Sequence, residues 1–351
     1  MAAEMYIRLF LFLVIFGLSI LPALNILSGN RNQVLIKTAE GLYNTDVVEG
    51  VFNRLLISGG ISLNPSQAMI GKNDWLFLGD SYAGTISAYR NGSDIQSVRQ
   101  SSTRIINAQE SWNYIYKTLG VSSFKIILGP NKSTIYSEQL PNWAKSPNES
   151  ISQHLYKTDI YIDSRRSLTN QRRGFPVYFY SDTHWNSYGA GIAFSNLMAS
   201  LASDGELSLP PESWGDVVSN ISQGGGDLAR FLKVRTNTQD VNVVTKVNSL
   251  DLNHTFYDFN ANKQVGEGKE ALFGNMSDLY LIKTDGALND KKVLWLSDSF
   301  GGALAPYMTA TFSQVLKQHW NKLLGTSELF ELVKRWRPDY IFITLASVIA
   351  G

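Results

Sequence analysis

The first long pattern in the chain is an uncharged apolar run of nineteen residues, from Leu9 to Leu27. At about 1.5 Å per residue, a helix of this length just crosses a hydrocarbon core of about 30 Å. The run predicts an N-terminal signal anchor over residues 1–30, followed by a membrane-proximal segment over residues 31–65. A cleaved signal peptide is the alternative, although its apolar region is usually only about 7–15 residues long.

Beyond this run, short apolar segments bounded by turn residues alternate with segments of helical spacing. Residues 71–80 and 124–130 are runs of the first kind, which predicts strands. Residues 95–119 carry apolar side chains at helical intervals and end at Gly120, which predicts a helix. The stretch from residue 203 to 291 has weaker periodicity, and we interpret it as an insertion of loops and short strands.

Two later segments repeat the order of strand, sharp polar turn and helix. Residues 176–184 predict a strand that runs into a helix over 187–202, and residues 292–308 predict the same arrangement. A helix over 327–336 and a strand over 340–347 close the chain. Nearly continuous apolar strands between helices predict a mainly parallel sheet covered on both faces, which is a three-layer α/β/α fold. The loops that follow such strands gather at one edge of the sheet.

Composition excludes several kinds of chemistry. The chain has no Cys, which excludes a thiolate nucleophile, a disulfide framework and Cys-based metal sites. Its 31 Lys+Arg against 30 Asp+Glu leave no basic surplus for nucleic acid. Charged residues make up 17% of the chain, below the roughly 25% of soluble domains, which agrees with a segment in a bilayer. Acid–base chemistry near neutral pH must use one of four histidines or a carboxylate.

Ser299 lies in the polar turn between the strand and the helix predicted over residues 292–308. A serine at this position presents its hydroxyl above the edge of the sheet. The helix N-terminus beside it offers N–H groups to a developing oxyanion. The same sequence is equally typical of a serine that caps a helix. Ser299 is therefore a candidate nucleophile, with an N-cap as the alternative.

Asp182 and His184 stand at the end of the other strand–turn segment. Residues two apart in an extended chain point to the same side, so both side chains are expected to face one pocket. The carboxylate would orient the imidazole, which would take a proton from a hydroxyl. The alternative is a partly buried histidine beside a helix cap. A metal site is less favoured, because no second His or Cys is near in sequence.

The order of these motifs resembles the alginate O-acetyltransferase family of SGNH-hydrolase-like proteins, of the AlgJ/AlgX type. The resemblance covers about residues 66–345 and rests above all on Asp-Thr-His-Trp-Asn at 182–186 and Asp-Ser-Phe at 298–300. Ordinary SGNH hydrolases carry the serine first, whereas this family has the permuted order found here. The supporting segments are GKNDWLFLGD, GPNKSTIYSEQLP, GGGDLARFL and RPDYIFI.

This resemblance implies an SGNH-hydrolase-like domain over residues 66–351 that acetylates an exported polysaccharide such as alginate. It assigns Ser299 as the nucleophile, His184 as the base and Asp182 as the residue that orients the base, and it implies no cofactor and no metal. The chain departs from the family at Ser297, where Gly is usual before Asp-Ser-Phe, and it lacks the frequent Glu-Arg after the last strand.

Further residues are candidates for secondary roles. Asn131, in the loop after a predicted strand, is a candidate second oxyanion donor or a turn residue. Tyr82, Tyr136 and Trp185, together with Trp75, are candidates for a platform that packs against sugar rings. Packing in the core is the alternative for each of these aromatic side chains.

The resemblance also implies a compartment and a partner. Because acetyl-CoA is cytoplasmic, a multi-pass membrane-bound O-acyltransferase is expected to supply the acetyl group. The protein is then expected in a bacterial inner membrane, with its catalytic domain in the periplasm. Two alternatives remain, namely a carbohydrate acetylesterase of the same fold, in which water accepts the acetyl group, and a non-catalytic polysaccharide-binding or assembly subunit.

Overall fold

A long apolar helix precedes the folded domain in the computed structural model. This helix, α1 (Ala2–Leu27), contains a stretch, Met5–Leu27, that is long and apolar enough to cross a membrane, with a mean hydropathy of 2.5. It is the one such helix among the residues that the structure describes. The described residues are 2–27, 42–81, Gly84, Ser87, Arg90, 94–144, 150–202, 205–235, 238–272 and 278–347.

Strands and helices alternate along most of the domain. The strands are β1 (Ala68–Ile70), β2 (Leu76–Leu78), β3 (Ser123–Gly129), β4 (Tyr161–Ile162), β5 (Val217–Gly224), β6 (Gln239–Thr245), β7 (Asn253–Asp258), β8 (Lys263–Gly268), β9 (Tyr280–Asp285), β10 (Asn289–Ser297), β11 (Phe312–His319) and β12 (Tyr340–Ala346). The helices after α1 are α2 (Asp46–Ser58), α3 (Ile95–Thr118), α4 (Lys132–Ile135), α5 (Ile151–Leu155), α6 (Arg165–Gln171), α7 (Ser187–Ser200), α8 (Asp227–Phe231), α9 (Gly301–Thr311), α10 (Trp320–Leu323) and α11 (Ser327–Trp336).

The central sheet is mixed. In the described part of the chain it has eight strands in the order β4-β3-β12-β10-β11-β9-β7-β8. Strands β4, β3, β12, β10 and β11 run parallel to one another. Strands β9, β7 and β8 extend the sheet in antiparallel fashion, and all three come from the stretch 203–291. Part of this stretch is therefore one end of the central sheet rather than an insertion, whereas β5 and β6 pair with each other in a separate two-stranded sheet.

Side chains of the central strands alternate between two apolar layers, as the pleat of a strand requires. On β10, Trp295 packs in a cluster with side chains of α7 and α9, whereas Leu294 and Leu296 pack in a cluster with side chains of α3 and α11. All three residues are fully buried. The predicted three-layer α/β/α fold is therefore confirmed. A third, smaller cluster joins α2, the hairpin of β1 and β2, and α8.

Two elements differ from the sequence-based expectations. Residues 176–184 do not form the predicted strand, and their pairing in the described residues is an isolated bridge between Tyr178 and Trp185. Strand β11, in contrast, has no counterpart among the predicted elements. Its polar residues interrupt the apolar pattern, although it lies inside the sheet between β10 and β9. The segment that carries Asp182 and His184 is thus a loop outside the sheet.

The register of the parallel strands places two loops side by side at the carboxyl edge of the sheet. Gly129 at the end of β3 pairs with Ala346 of β12, and Ser297 at the end of β10 pairs with Thr344 of the same strand. A Cβ on Gly129 would lie only 2.5 Å from the Phe300 ring, so the glycine allows the close approach of these loops.

We expect Gly191→Ala to destabilise the protein, although Ala is the better helix former. Gly191 lies on α7 at a close approach to α9, and a Cβ there would overlap the hydroxyl of Tyr307, which is hydrogen-bonded to Thr245 Oγ1 at 2.6 Å. Overpacking of this kind costs about 1–3 kcal/mol. Gly302→Ala, which has open space at its Cβ, is the matched control and should be neutral or stabilising in denaturant unfolding. Equal stability of the two variants would contradict the expectation.

Candidate active site

Ser299 is exposed at the turn between β10 and α9. The turn is closed by the neighbouring Asp298, whose Oδ1 accepts the N–H of Phe300 at 2.9 Å and whose Oδ2 accepts the N–H of Ala346 at 2.7 Å. The N-cap residue of α9 is Phe300, and no side chain caps the helix, so Ser299 does not have the capping role that the sequence left open. The hydroxyl of Ser299 is bonded elsewhere, to an imidazole.

His184 joins Ser299 to Asp182 in one hydrogen-bonded chain. Nε2 of His184 lies 2.7 Å from Ser299 Oγ, and Nδ1 lies 2.6 Å from Asp182 Oδ1. Because an ionised carboxylate only accepts hydrogen bonds, Nδ1 carries the proton of a neutral imidazole and Nε2 is free to accept the proton of the hydroxyl. This is the arrangement that acyl transfer through a serine requires.

Asp182 is oriented by backbone groups rather than by a strand. Its Oδ1 also accepts the N–H of His184 at 2.9 Å, and its Oδ2 accepts the N–H of Asp227 at 2.9 Å. Asp227 in turn accepts the N–H of Thr183 at 2.8 Å. A Cβ on Gly226 would overlap the Asp182 side chain, so the glycine allows the start of α8 to reach this carboxylate.

Within this hydrogen-bonded triad, His184 lowers the pKa of Asp182, and Asp182 raises the pKa of His184. Burial would raise the pKa of Asp182, but the hydrogen bonds and the charge of His184, with the N–H of Asp227, outweigh it and lower this pKa to about 2. Burial would lower the pKa of His184, but the bond to Asp182 and the charges of Asp182, Asp227 and Asp298 raise it above its usual 6.5. The site therefore stabilises an imidazolium next to Ser299, as proton transfer from the hydroxyl requires.

Lys132 holds the loop that precedes His184 from its carbonyl side. Its ammonium is buried, and the residue is 5% exposed. It donates to three backbone carbonyls of the loop, those of Phe179 at 3.1 Å, Tyr180 at 3.0 Å and Asp182 at 2.7 Å. Burial lowers the pKa of Lys132 to about 8, although the nearby carboxylates oppose this change.

Asp240 holds the same loop from its amide side. This carboxylate is fully buried and accepts the N–H of Tyr180 at 2.9 Å and both the N–H and the hydroxyl of Ser181 at 2.8 and 2.7 Å. The Ser181 hydroxyl also accepts the N–H of Gly226 at 3.0 Å. The Lys132 ammonium thus satisfies carbonyls of the loop, and the Asp240 carboxylate satisfies its N–H groups. These hydrogen bonds fix the loop in place of the strand-to-strand hydrogen bonds of a sheet.

Asp182, His184 and Asp227 also bring three potential metal-ligand atoms within 4.8 Å of one another. The oxygens of Asp182 already accept hydrogen bonds from the backbone and from the imidazole, and Nε2 of His184 faces Ser299. Hydrogen bonding therefore explains the cluster without a metal ion.

The aromatic candidates for a sugar platform have other positions in the structure. Trp185 is 1% exposed and donates from Nε1 to the carbonyl of Phe300 at 3.0 Å. Tyr136 and Trp75 are both 6% exposed and contact each other with tilted rings, whose centroids are 4.2 Å apart. Their burial assigns these three side chains to the core rather than to a sugar-binding surface. Tyr82 lies outside the described residues.

Asn131 lies in a pocket next to residues that adjoin His184 and Ser299. It is partly exposed at the start of α4 and lines a pocket together with Thr183, which adjoins His184, and Phe300, which adjoins Ser299. The remaining lining is mostly apolar and comes from Phe77, Leu78, Leu228, Lys132 and Ser133.

Sequence reasoning missed four residues on which this geometry depends, namely Lys132, Asp240, Asp227 and Gly226. Two signals were present in the sequence. Lys132 directly follows Asn131 in the Gly-Pro-Asn-Lys loop, and Asp227 directly follows three glycines at a helix start. Asp240 gave no signal, because its partners are about 60 residues away in the chain.

We expect Asp182→Asn to lower the pKa of His184, because the variant removes the charge and the charge-assisted hydrogen bond that raise it. Proton–nitrogen NMR titration of the imidazole measures this pKa. His254 is the internal control, since burial lowers its pKa and Asp182 is not among the groups that shift it. A His184 titration unchanged by the substitution would contradict the described contact.

We expect Lys132→Met to lower the free energy of unfolding by about 3–5 kcal/mol, because it leaves three buried backbone carbonyls without their donor and removes a positive charge that interacts with Asp240. Lys125→Met is the matched control. Lys125 also donates to a backbone carbonyl, that of Asp159 at 2.6 Å, but it is only partly buried, so its loss should cost about 1 kcal/mol. Similar losses in urea unfolding would show that Lys132 does not hold the loop.

Comparison of the sequence with known families identifies the domain. Residues 68–278, more than half of the chain, match the family described as SGNH hydrolase-like domain, acetyltransferase AlgX. A curated relative, the probable alginate O-acetylase AlgJ of Azotobacter vinelandii, is 27% identical over 178 residues. The match spans 47% of this chain and 41% of that relative, so the chain corresponds to about two fifths of the relative's length.

Solved structures share the fold at low sequence identity. Bacillus cereus PatB1 superposes with a TM-score of 0.57 at 14% identity, over 81% of this chain and 98% of that one. A DHHW family protein from Eubacterium siraeum superposes with a TM-score of 0.53 at 16% identity, over 83% and 93% of the two chains. The family resemblance carried by the sequence motifs is confirmed, and the chain belongs to the AlgX family of SGNH hydrolase-like acetyltransferase domains.

Proposed function

We propose that the protein transfers acetyl groups to hydroxyls of an exported, alginate-like polysaccharide through an acetyl-serine at Ser299. The observation that carries this proposal is the hydrogen-bonded chain from Ser299 through His184 to Asp182 in a domain of the AlgX family. The Azotobacter vinelandii relative is named a probable alginate O-acetylase, which supports acetyl as the group transferred and a polysaccharide as the acceptor.

In the first half of the reaction, Ser299 Oγ attacks the carbonyl carbon of the acetyl donor while its proton moves to Nε2 of His184. The tetrahedral intermediate collapses when the bond to the leaving group breaks and that group takes the proton from His184. Asp182, which keeps its negative charge because of its low pKa, stabilises the imidazolium between these two steps.

In the second half, a sugar hydroxyl attacks the acetyl-serine and gives its proton to His184. The bond from the acetyl carbon to Ser299 Oγ then breaks, and the serine recovers a proton from the imidazole. The acetyl group leaves on the sugar oxygen, and the enzyme returns to its starting state without a cofactor.

The oxyanion of each tetrahedral intermediate needs N–H donors beside Ser299. Within the turn, the N–H groups of Phe300, Gly301 and Gly302 already donate to Asp298 or Ser299. In the described structure the N–H of Ser299 has no assigned acceptor, and we assign it as one donor. The side-chain amide of Asn131 is the second, because Asn131 lines the adjoining pocket and its side chain does not cap α4.

The same proposal places the protein at a bacterial inner membrane. Helix α1 would be the signal anchor over residues 1–30, residues 31–65 would be the membrane-proximal segment, and residues 66–351 would form the periplasmic acetyltransferase domain. A multi-pass membrane-bound O-acyltransferase would supply the acetyl group, because cytoplasmic acetyl-CoA does not reach a periplasmic site. The length and hydropathy of Met5–Leu27 support the anchor.

The proposal is tested by incubating the purified protein with an acetyl donor ester and alginate oligosaccharides. We expect wild-type protein to gain one acetyl group on the peptide that contains Ser299 and then to form acetylated oligosaccharide, both followed by mass spectrometry. Ser299→Ala should abolish both products, because among the described residues Ser299 supplies the hydroxyl that is bonded to His184.

Two results would contradict the proposal. An acetyl-serine that releases acetate at the same rate with and without oligosaccharide would indicate an acetylesterase. Acetylation of oligosaccharide that persists in Ser299→Ala would remove Ser299 from the chemistry. The control variant Ser313→Ala changes a surface serine bonded to Asp290 at 2.8 Å and should behave as wild type.

A further inference from the structure

Helix α2 exposes an apolar face although it packs against the domain. Val48, Val51, Phe52 and Leu55 are 40%, 54%, 55% and 67% exposed. Their spacing of three, four and seven residues places them on one stripe of the helix. We call these four residues the α2 apolar face. Apolar side chains grouped in this way usually mark a surface that meets a partner or a lipid bilayer.

The opposite side of α2 is fixed, so the helix does not turn its apolar face inward. Ile57 is buried in the cluster that joins α2 to α8, and Asn53 donates from Nδ2 to the carbonyl of Leu232 at 2.7 Å. Glu49 pairs with Lys233, which directly follows Leu232, at 2.5 Å. These contacts hold α2 in one orientation on the domain.

The start of α2 is tied to the end of the apolar helix α1. Asn25, in the last turn of α1, is 3% exposed and donates from Nδ2 to the carbonyls of Leu42 and Asn44, both at 2.8 Å. Helix α2 begins two residues after Asn44. Because the uncharged run Leu9–Leu27 is about as long as the hydrocarbon core is thick, the last turn of α1 and the residues bonded to it would lie at the level where the bilayer meets water.

We infer that the α2 apolar face lies in the interfacial layer of the same bilayer that α1 spans. The inference rests on the proposed membrane anchor and commits to lipid as the occupant, because the contacts of Asn25 place α2 at this depth. Amphipathic helices bury such faces about 5–10 Å into the boundary between headgroups and acyl chains. Ile61 and Leu63, which follow α2 and are 54% and 58% exposed, add apolar surface in the same stretch of chain.

This contact would orient the active site relative to the membrane. Helix α2 packs on α8 through Ile57, Leu228 and Leu232. The N–H of Asp227, at the start of α8, binds the Asp182 carboxylate at 2.9 Å. The packing of α2 on α8 and the hydrogen bond from Asp227 to Asp182 would therefore connect the bilayer surface to the carboxylate that orients His184. The domain would present one defined side to a donor that brings acetyl groups across the membrane.

The absence of cysteine allows a direct test in the full-length protein. Single nitroxide labels are placed at Phe52→Cys and Leu55→Cys in protein reconstituted into vesicles of phosphatidylethanolamine and phosphatidylglycerol. Collision with oxygen, which concentrates in lipid, is compared with collision with a water-soluble nickel complex. Leu13→Cys in α1 is the lipid control, and Tyr114→Cys on α3, at a side chain that is 72% exposed, is the water control.

We expect the labels at Phe52 and Leu55 to resemble Leu13, with oxygen collisions exceeding nickel collisions, while Tyr114 shows the reverse. If Leu13 reports lipid and the α2 labels report water, the anchor stands and this inference fails. A Leu13 label in water overturns both. Low collision with both reagents at Phe52 and Leu55 would mean that protein covers the face, which also overturns the inference.

Discussion

The carboxylate of Asp182 connects parts of the chain that the central sheet does not hold together. It accepts two hydrogen bonds from His184 and one from the start of α8. Without this carboxylate, the imidazole would have no fixed orientation toward Ser299. The donors also explain why the group stays ionised in a partly buried position, since its pKa falls to about 2 despite burial. The order of the whole site depends on this one anion.

The loop that carries Asp182 has its own requirement, because it lies outside the sheet while much of its backbone is buried. Buried N–H and C=O groups need partners, and here two side chains supply them. Lys132 satisfies carbonyls and Asp240 satisfies amides, and both charges are nearly or fully buried. Charges in such positions are costly unless they are compensated, and each of these is compensated by backbone dipoles. His184 therefore follows a loop whose backbone is fixed by two buried side chains, a support that an ordinary surface loop lacks.

The parts that sequence could predict are those with local signals. The strand before Ser299 and the helix after it are visible because their apolar residues are continuous in β10 and end at a polar turn. Local patterns also select Asp182 and His184, yet the expected strand around them is absent, because side chains distant in sequence replace its hydrogen bonds. Strand β11 is not predicted because its local pattern does not look like that of a buried strand. Lys317 breaks its apolar pattern but is fully buried beside the Trp295 ring, which no local rule predicts.

The proposed bilayer contact of α2 would also bear on the order of the site. Helix α8 has only five residues, too few to be stable alone, so it depends on packing against α2 and the first hairpin. Packing against α2 therefore contributes to the order of Asp227 and, through the N–H of Asp227, to that of the Asp182 carboxylate. A bilayer that holds the outer face of α2 would stabilise the catalytic loop from below as well as orient it. Membrane anchoring would then stabilise the proposed catalytic site through the packing of α2 on α8, without a conformational change.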